Sequence, residues 1–212
     1  MLWLKDIEPK GACPALEDKR FSIMVLAGGQ SSRMGRDKAA MPWEQSDLLT
    51  SLLTRLLPLS DDVIVISNTV RKVPQSVRQA TDIIPGKGPL SGIHTGLIYA
   101  CHDLVFVTAC DVPFLRPHIV LPIVQSVGMS DGGVAVYKEQ LEPLFACYRK
   151  SCAAVIEELL AAGNYRVKDF LASIRWVPVQ QADEPDDCCF MNMNTCDDYE
   201  KAKAILAKGR QP

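Results

Sequence analysis

The residues best suited to chemistry begin at Gly28. In the run Val25–Met41, VLAGGQSSRMGRDKAAM, an apolar stretch breaks into Gly28-Gly29 and is followed by Arg33, Gly35, Arg36 and Lys38. Glycine admits positive φ and lets main-chain N–H groups approach an anion with no Cβ in the way. Successive amides exposed in this manner form an anion-binding concavity. Arg33 adds a two-pronged donor and Lys38 a compact charge, so the combination suits phosphate. A tight turn with solvated cations would account for a lone glycine pair, but accounts less well for this density of glycine, serine and cation. Neither G-x-x-x-x-G-K-[ST] nor G-x-G-x-x-G can be read here.

Two carboxylates stand in comparable settings. Asp111, in VFVTACDVPFL, ends an apolar run just before Pro113. Pro113 biases Val112 toward an extended conformation and stops the strand. A carboxylate at the tip of a buried strand is costly unless paired or metal-bound, and Mg²⁺ takes one or two carboxylates together with phosphate oxygens. The alternative for Asp111 is a turn-forming Asp-x-Pro. Asp82, in TDIIPGKGPLSG, precedes a glycine- and proline-rich loop that feeds a helix. It either accepts hydrogen bonds from a sugar or base or caps a turn. GKGPLSG is one residue off the dinucleotide fingerprint, so no NAD site is inferred.

These residues need a frame. FSIMVLA (21–27), DVIVIS (62–67) and the start of LVFVTACDVPF (104–114), which stops as a strand at Asp-Val-Pro, are continuous apolar runs, as strands buried on both faces require. A weaker extended piece is expected near 81–84. Helices are predicted over 46–57, behind a Ser46 or Asp47 cap, and over 90–101 and 117–127, the last with a kink at Pro122. The alternation of strand and helix implies parallel strands with crossover helices, a three-layer α/β core over the first 130 or so residues. Ligands of such sheets bind beyond the carboxyl ends of the strands, where all three clusters fall. Further on, GGVAVYK, PLFACYR and RWVPVQ read as short strands. SCAAVIEELLAAG reads as a helix capped by Ser151 and stopped by Gly163, YRVKDFLAS as a short helix, and CDDYEKAKAILAKG as a closing amphipathic helix. Residues 1–20 read as an N-terminal arm and 21–212 as one domain, about 21–130 binding nucleotide and about 131–212 binding the acceptor.

Composition narrows the partners. The 212 residues carry 23 Lys and Arg against 25 Asp and Glu, a net charge of −2. With no global basic field, nucleic acid is not expected as a partner. No apolar run approaches the ~20 residues that span a bilayer, so no membrane partner is expected either. The N-terminal residues lack the long apolar core of a signal peptide. Eight cysteines form no C-x-x-C pair, which disfavours a zinc site and favours reduced thiols in a cytoplasmic protein.

Taken together, LAGGQSSRMGRDKA, DIIPGKGPLSG, TACDVPFL, EPLFACYR and NMNTCDDYEKA resemble the molybdenum cofactor guanylyltransferases of the nucleotidyltransferase superfamily. The motifs stand in the family's order from about Phe21 to Leu206. The resemblance implies a three-layer α/β/α sandwich with a mostly parallel central sheet, the Rossmann-like nucleotidyltransferase fold. It implies transfer of GMP from GTP to molybdenum-carrying molybdopterin, with release of pyrophosphate and Mg²⁺ as cofactor. By motif, Leu26, Ala27, Gly28, Gly29, Lys38, Asn68, Asp82 and Asp111 would hold GTP, and Asp111 would also bind the metal. Arg33, Lys38 and Asp111 would act in catalysis, and Asn192 and Asn194 would meet the acceptor. Molybdoenzyme apoproteins or their chaperones would be partners. ISNT leaves open whether Ser67 or Asn68 takes the nucleoside role, RMGRDK is one residue shorter than in some members, and Cys196 stands where proline is common.

Other readings keep the fold and change the chemistry: a cytidylyltransferase, a sugar- or polyol-phosphate nucleotidyltransferase, or a non-catalytic carrier delivering the cofactor. His94, His102 and His118 have no catalytic spacing. His94 is expected to be a satisfied helix histidine, and His102 with Asp103 to close a helix. Trp3, Trp43 and Trp176 are expected to pack. Arg166 and Lys168 either receive a phosphate or begin a solvated helix.

Overall fold

The computed structural model describes residues 20–28, 37–181 and 188–208. Gly29, Arg33, Trp3 and residues 1–19 of the N-terminal arm lie outside the described residues. In chain order the strands are β1 (Ser22–Leu26), β2 (Pro42–Trp43), β3 (Ser46–Asp47), β4 (Asp62–Ile66), β5 (Val77–Ala80), β6 (Leu104–Ala109), β7 (Gly132–Tyr137), β8 (Gln140–Arg149) and β9 (Trp176–Gln180). The helices are α1 (Leu48–Leu56), α2 (Pro89–Tyr99), α3 (Val120–Ser126), α4 (Cys152–Ala161), α5 (Val167–Ala172) and α6 (Cys196–Ala207).

Seven strands form one sheet in the order β5-β4-β1-β6-β8-β7-β9, and β2 with β3 make a small hairpin. β1 lies between β4 and β6, parallel to both, and β5 and β9 are also added parallel. β8 alone enters against its neighbours, antiparallel to β6 and β7. The central strands are mostly apolar because alternate side chains enter two different cores. Ile23 and Val25 of β1 face a layer with α1 and α3, whereas Met24 and Leu26 face α2, α4 and α5. The expected three-layer α/β/α sandwich with a mostly parallel sheet is therefore present. A third cluster, built on Trp43, Leu48, Phe114, Met193 and Ala202, seats α6 against the β2–β3 hairpin.

Helix α2 lies close against β1. A Cβ at Gly96 would fall 2.2 Å from Met24 Sδ, and one at Gly92 would fall 2.9 Å from Leu26 Cδ2. A side chain at either position would therefore force Met24 or Leu26 to move.

Several expectations are corrected. The extended piece is Val77–Ala80 instead of 81–84: after Ala80 the chain turns, and an edge strand with one buried residue carries little apolar signal. Of the two caps left open for α1, Asp47 is the one used, accepting from Thr50 N at 2.8 Å. Pro122 makes no kink. A 3₁₀ turn, Pro117–Ile119, precedes α3, and Pro122 falls in the first turn of α3, where no N–H is needed. Ser151 precedes α4 in helical conformation without a side-chain cap. The glycine stop is present: Gly163 has φ +76°, and Asn164 N–H donates to Leu159 O at 2.8 Å and Gly163 N–H to Leu160 O at 3.1 Å, a Schellman ending. PLFACYR extends back to Gln140 through a tight turn with Lys138 and Glu139 at positive φ.

Candidate active site

The carboxyl ends of β1, β4 and β6 open onto a cavity of about 770 Å³. Leu26, Ala27, Gly28, Lys38, Asn68, Asp82 and Asp111, each singled out in the sequence, all line it. A smaller cavity of about 250 Å³ adjoins it, lined by Glu142, Asn192 and Asn194. Ala109, Asp111 and Leu144 belong to both linings, so Asp111 stands where the two cavities meet.

Each side chain is placed by a local device. After Gly28 the described chain resumes at Asp37, whose carboxylate accepts from Ala39 N at 3.2 Å and caps a 3₁₀ turn over Lys38–Ala40. That turn aims Lys38 at the junction. Its Nζ donates to Asn194 Oδ1 at 2.8 Å and stands 3.7 Å from Asp111 Oδ2. Asn194 is held in turn, because Thr195 and Asp198 form a capping box at the start of α6 and Asn194 N donates to Asp198 Oδ2 at 3.0 Å.

Asp111 follows β6. Cys110 N donates to Leu26 O at 3.0 Å, which keeps the ends of β1 and β6 level, and Asp111 O accepts from Met193 N at 2.8 Å. The turn beyond it is anchored by buried Val112 and Phe114 and braced by Arg55 of α1, whose Nη1 donates to Pro113 O at 2.6 Å. Burial pushes the Asp111 carboxyl above the usual carboxylate range, and the Lys38 charge only partly offsets this. The adjacent Cys110 thiol is pushed up to about 12 by the same burial, so it stays protonated and inert.

Asn68 and Asp82 form a reciprocal pair. Asn68 Nδ2 donates to Asp82 Oδ2 at 3.0 Å, and Asp82 N donates to Asn68 Oδ1 at 3.2 Å. Ser67 also lines the cavity, but its hydroxyl is engaged by Arg71 Nε at 3.0 Å. Of the two residues left open by ISNT, Asn68 is thus the one beside Asp82. Burial raises the Asp82 carboxyl, and the Asn68 hydrogen bond partly offsets it. Gly88, at φ +73°, turns the chain into α2 with Pro89 at its first position.

Two cavity residues escaped the sequence reading. Arg71 reaches the larger cavity from the link after β4, and half-buried Glu142 enters the smaller one with its carboxyl raised by burial. Arg71 lies in no quoted motif and is found by position alone, whereas Glu142 opens EPLFACYR without having been singled out from it. Arg166 and Lys168 line neither cavity. His94 is buried but corrects the expectation of a satisfied histidine, because neither ring nitrogen has a protein partner among the described residues. His102 lies beyond the end of α2, with Nε2 2.7 Å from Asp61 Oδ1. Trp43 packs edge-on to Phe114 at 5.5 Å, and Trp176 Nε1 donates to Leu171 O at 3.1 Å.

No cluster of three or more metal-binding side chains exists among the described residues. A divalent ion held by Asp111 would also take substrate oxygens and water. Asp111 fits that role: it is a hard oxygen donor, desolvated, at the meeting point of two cavities.

Residues 23–180 match the model of the MobA-like NTP transferase domain. The chain belongs to this family. It is 32% identical over 193 residues to a probable molybdenum cofactor guanylyltransferase of Carboxydothermus hydrogenoformans, covering 89% of this chain and 98% of the relative. It is 37% identical over 189 residues to the molybdenum cofactor guanylyltransferase of Syntrophotalea carbinolica, covering 85% and 89%. Among solved structures, molybdopterin-guanine dinucleotide biosynthesis protein A from Archaeoglobus fulgidus superposes with a TM-score of 0.76 at 22% identity, over 88% of this chain and 99% of that one. The 2-C-methyl-D-erythritol 4-phosphate cytidylyltransferase of Thermus thermophilus shares the fold with a TM-score of 0.67 at 14% identity, over 88% and 98%.

Proposed function

We propose that this chain is a molybdenum cofactor guanylyltransferase. It transfers GMP from GTP to molybdenum-carrying molybdopterin, giving the guanine dinucleotide cofactor and pyrophosphate. The observation behind this reading is the junction itself. Lys38, Asp111 and Asn194 meet where a larger cavity at the sheet edge joins a smaller one, the arrangement needed to bring two phosphorylated substrates together.

In this reading GTP occupies the larger cavity, with its triphosphate toward Gly28 and Lys38 and its nucleoside beside Asn68 and Asp82. The pterin phosphate enters the smaller cavity past Asn192 and Asn194. An oxygen of the acceptor phosphate bonds to the α-phosphorus of GTP, and the bond from that phosphorus to the bridging oxygen of pyrophosphate breaks. The acceptor is a phosphate monoester with a second pKa near ~6, so at neutral pH it is already largely dianionic and needs no general base.

The obstacle is charge. Two unit charges ~4 Å apart repel by about 4 kcal/mol at an effective dielectric of ~20. Lys38 opposes that repulsion from a fixed position, and Arg33 is assigned to the same task from the glycine loop. Mg²⁺ held by Asp111 would neutralise phosphate oxygens and stabilise the pyrophosphate as it leaves. Asn194 holds the Lys38 ammonium between the cavities instead of letting it fold onto Asp111.

A cytoplasmic setting suits this reading. Cys101, Cys110, Cys147, Cys152 and Cys196 are thiols, and no helix among the described residues is long and apolar enough to cross a membrane. Delivery of the product to molybdoenzyme apoproteins or their chaperones completes the proposal.

The test is competition among GTP, CTP, ATP and UTP for transfer to molybdopterin, read as pyrophosphate release in Mg²⁺. GTP is expected to dominate. Preferential use of CTP, or transfer to a polyol phosphate in place of the pterin, would refute the assignment. Lys38→Met is expected to raise the GTP concentration needed for half-maximal turnover, and an unchanged titration would remove Lys38 from the site.

A further inference from the structure

Arg71 lies outside every motif, yet its guanidinium joins three separate parts of the site. Nε donates to Ser67 Oγ at 3.0 Å, just past the end of β4. Nη2 donates to Ala27 O at 2.9 Å, just past the end of β1. Nη1 pairs with Asp37 Oδ2. Ala27 and Asp37 stand on either side of the glycine- and cation-rich segment, so one side chain holds both of its flanks. Arg71 is itself fixed: its N–H donates to Gln79 Oε1 at 3.0 Å, and its carbonyl accepts from Gln79 Nε2 at 2.9 Å, pinning it to β5. The side chain is 13% exposed.

The two oxygens of Asp37 divide their work. Oδ1 caps the Lys38–Ala40 turn through Ala39 N, and Oδ2 takes Arg71. The direction in which Lys38 leaves the backbone thus depends on Asp37, and the place of Asp37 depends on Arg71. The Arg71 charge is matched by Asp37, so the pair adds no net charge to the cavity and is built as a brace. Lysine cannot copy it, because one compact ammonium cannot serve three acceptors spread in a plane.

We propose that Arg71 is a positioning residue for nucleotide binding and transfer, acting through Asp37 on Lys38 and setting where the Lys38 ammonium meets the phosphates. This rests on reading the larger cavity as the nucleotide site. If Arg71 works through Lys38, removing either residue removes much the same interaction, and the losses do not add. If Arg71 met the nucleotide on its own account, they would add.

The experiment is a double-mutant cycle on the full chain, read first as the affinity for a fluorescent GTP analogue in Mg²⁺ and then as pyrophosphate release with molybdopterin. Arg71→Met and Lys38→Met are each expected to weaken binding on the order of 10-fold, and the double variant to be within about 3-fold of the weaker single variant. Arg71→Lys is expected to recover little of the loss. Asp37→Asn, which keeps the capping oxygen and loses the charge pair, is expected to shift affinity in the same direction, and the shift should vanish in the Lys38→Met background. Losses that multiply to about 100-fold in the double variant, or parent affinity in Arg71→Met, would overturn the proposal. Should Arg71→Met fail to fold, the cycle of Asp37→Asn with Lys38→Met decides the question. Because the cycle is read in affinity, a parent protein that binds the nucleotide but releases no pyrophosphate would refute the proposed reaction and still settle the role of Arg71.

Discussion

Asp62 and Asp111 are two carboxylates at opposite ends of the same sheet, and the sequence surrounds them very differently. Asp62 opens β4 at the amino-terminal edge. It accepts from Ser22 Oγ at 2.5 Å, Cys101 N at 2.8 Å, and Arg78 Nε and Nη2 at 3.0 and 2.5 Å. Burial alone would raise its carboxyl, but the Ser22 hydroxyl, the Cys101 amide and Arg78 outweigh it and hold the group below the usual range. Asp111 follows β6 at the carboxyl-terminal edge. There burial prevails over Lys38, and the group is held above the usual range. One carboxylate is satisfied by the protein, whereas the other is left with binding capacity to spare. A closed donor set marks a structural acid, and an incomplete one at a cavity junction marks a working acid.

The comparison can be broken by exchanging the consequences. The largest effect is expected at Asp62. Asp62→Ala strands Arg78 and two further donors, Ser22 Oγ and Cys101 N, and should cost about 4 kcal/mol of stability, with turnover per folded molecule unchanged. Urea unfolding and an active-site-normalised rate measure the two sides, and a stable but inactive variant would reverse the assignment. Asp111→Asn should do the opposite: turnover falls roughly 10²-fold or more, about 2.7 kcal/mol, while the melting temperature holds or rises.

Acid sharpens the contrast. The lowered Asp62 contributes stability above the ordinary carboxylate pKa near 3.8, and this is lost as pH falls through its lower folded value. The raised Asp111 costs stability at neutral pH, and the cost is relieved as pH falls through its higher folded value toward 3.8. Urea melts across that range should show the stability gap between parent and Asp62→Asn closing only below 3.8, and the gap between parent and Asp111→Asn closing already above it.

The smallest effect belongs to His94. Burial lowers its pKa, with Glu157 partly offsetting this, and its ring nitrogens have no protein partner among the described residues. The parent should lose stability as pH falls below 6.5, the ordinary histidine value, toward the lowered folded one. His94→Leu should flatten that loss and add about 1 kcal/mol at neutral pH. A parent curve already flat between pH 7 and 5 would contradict it.

The same contrast explains what could be read from the sequence. β1, β4 and β6 are legible because burial on both faces leaves only one polar position in each, Ser22, Asp62 and Thr108, and the motifs at their carboxyl ends are legible because glycine, proline and carboxylate do not otherwise follow such strands. β5 was misplaced because its sequence, VRQA, buries only Val77. The β7–β8 turn was missed because Lys138 and Glu139 adopt positive φ without glycine. Asp62 looked like an ordinary strand start, since its donors come from residues 22, 78 and 101. Arg71 was invisible for the same reason, as its partners Ala27 and Asp37 are 44 and 34 residues away. Local chemistry announces itself in sequence, whereas a brace between distant segments is legible only once they are folded together.

The most direct test follows the phosphorus. With GTP labelled at the α-phosphorus, molybdopterin and Mg²⁺, the parent protein is expected to move the label into the pterin dinucleotide, and Asp111→Asn to do so at least roughly 10²-fold more slowly while melting no lower than the parent. Label that stays in GTP with the parent protein, or reaches the pterin at the parent rate with Asp111→Asn, would contradict the account.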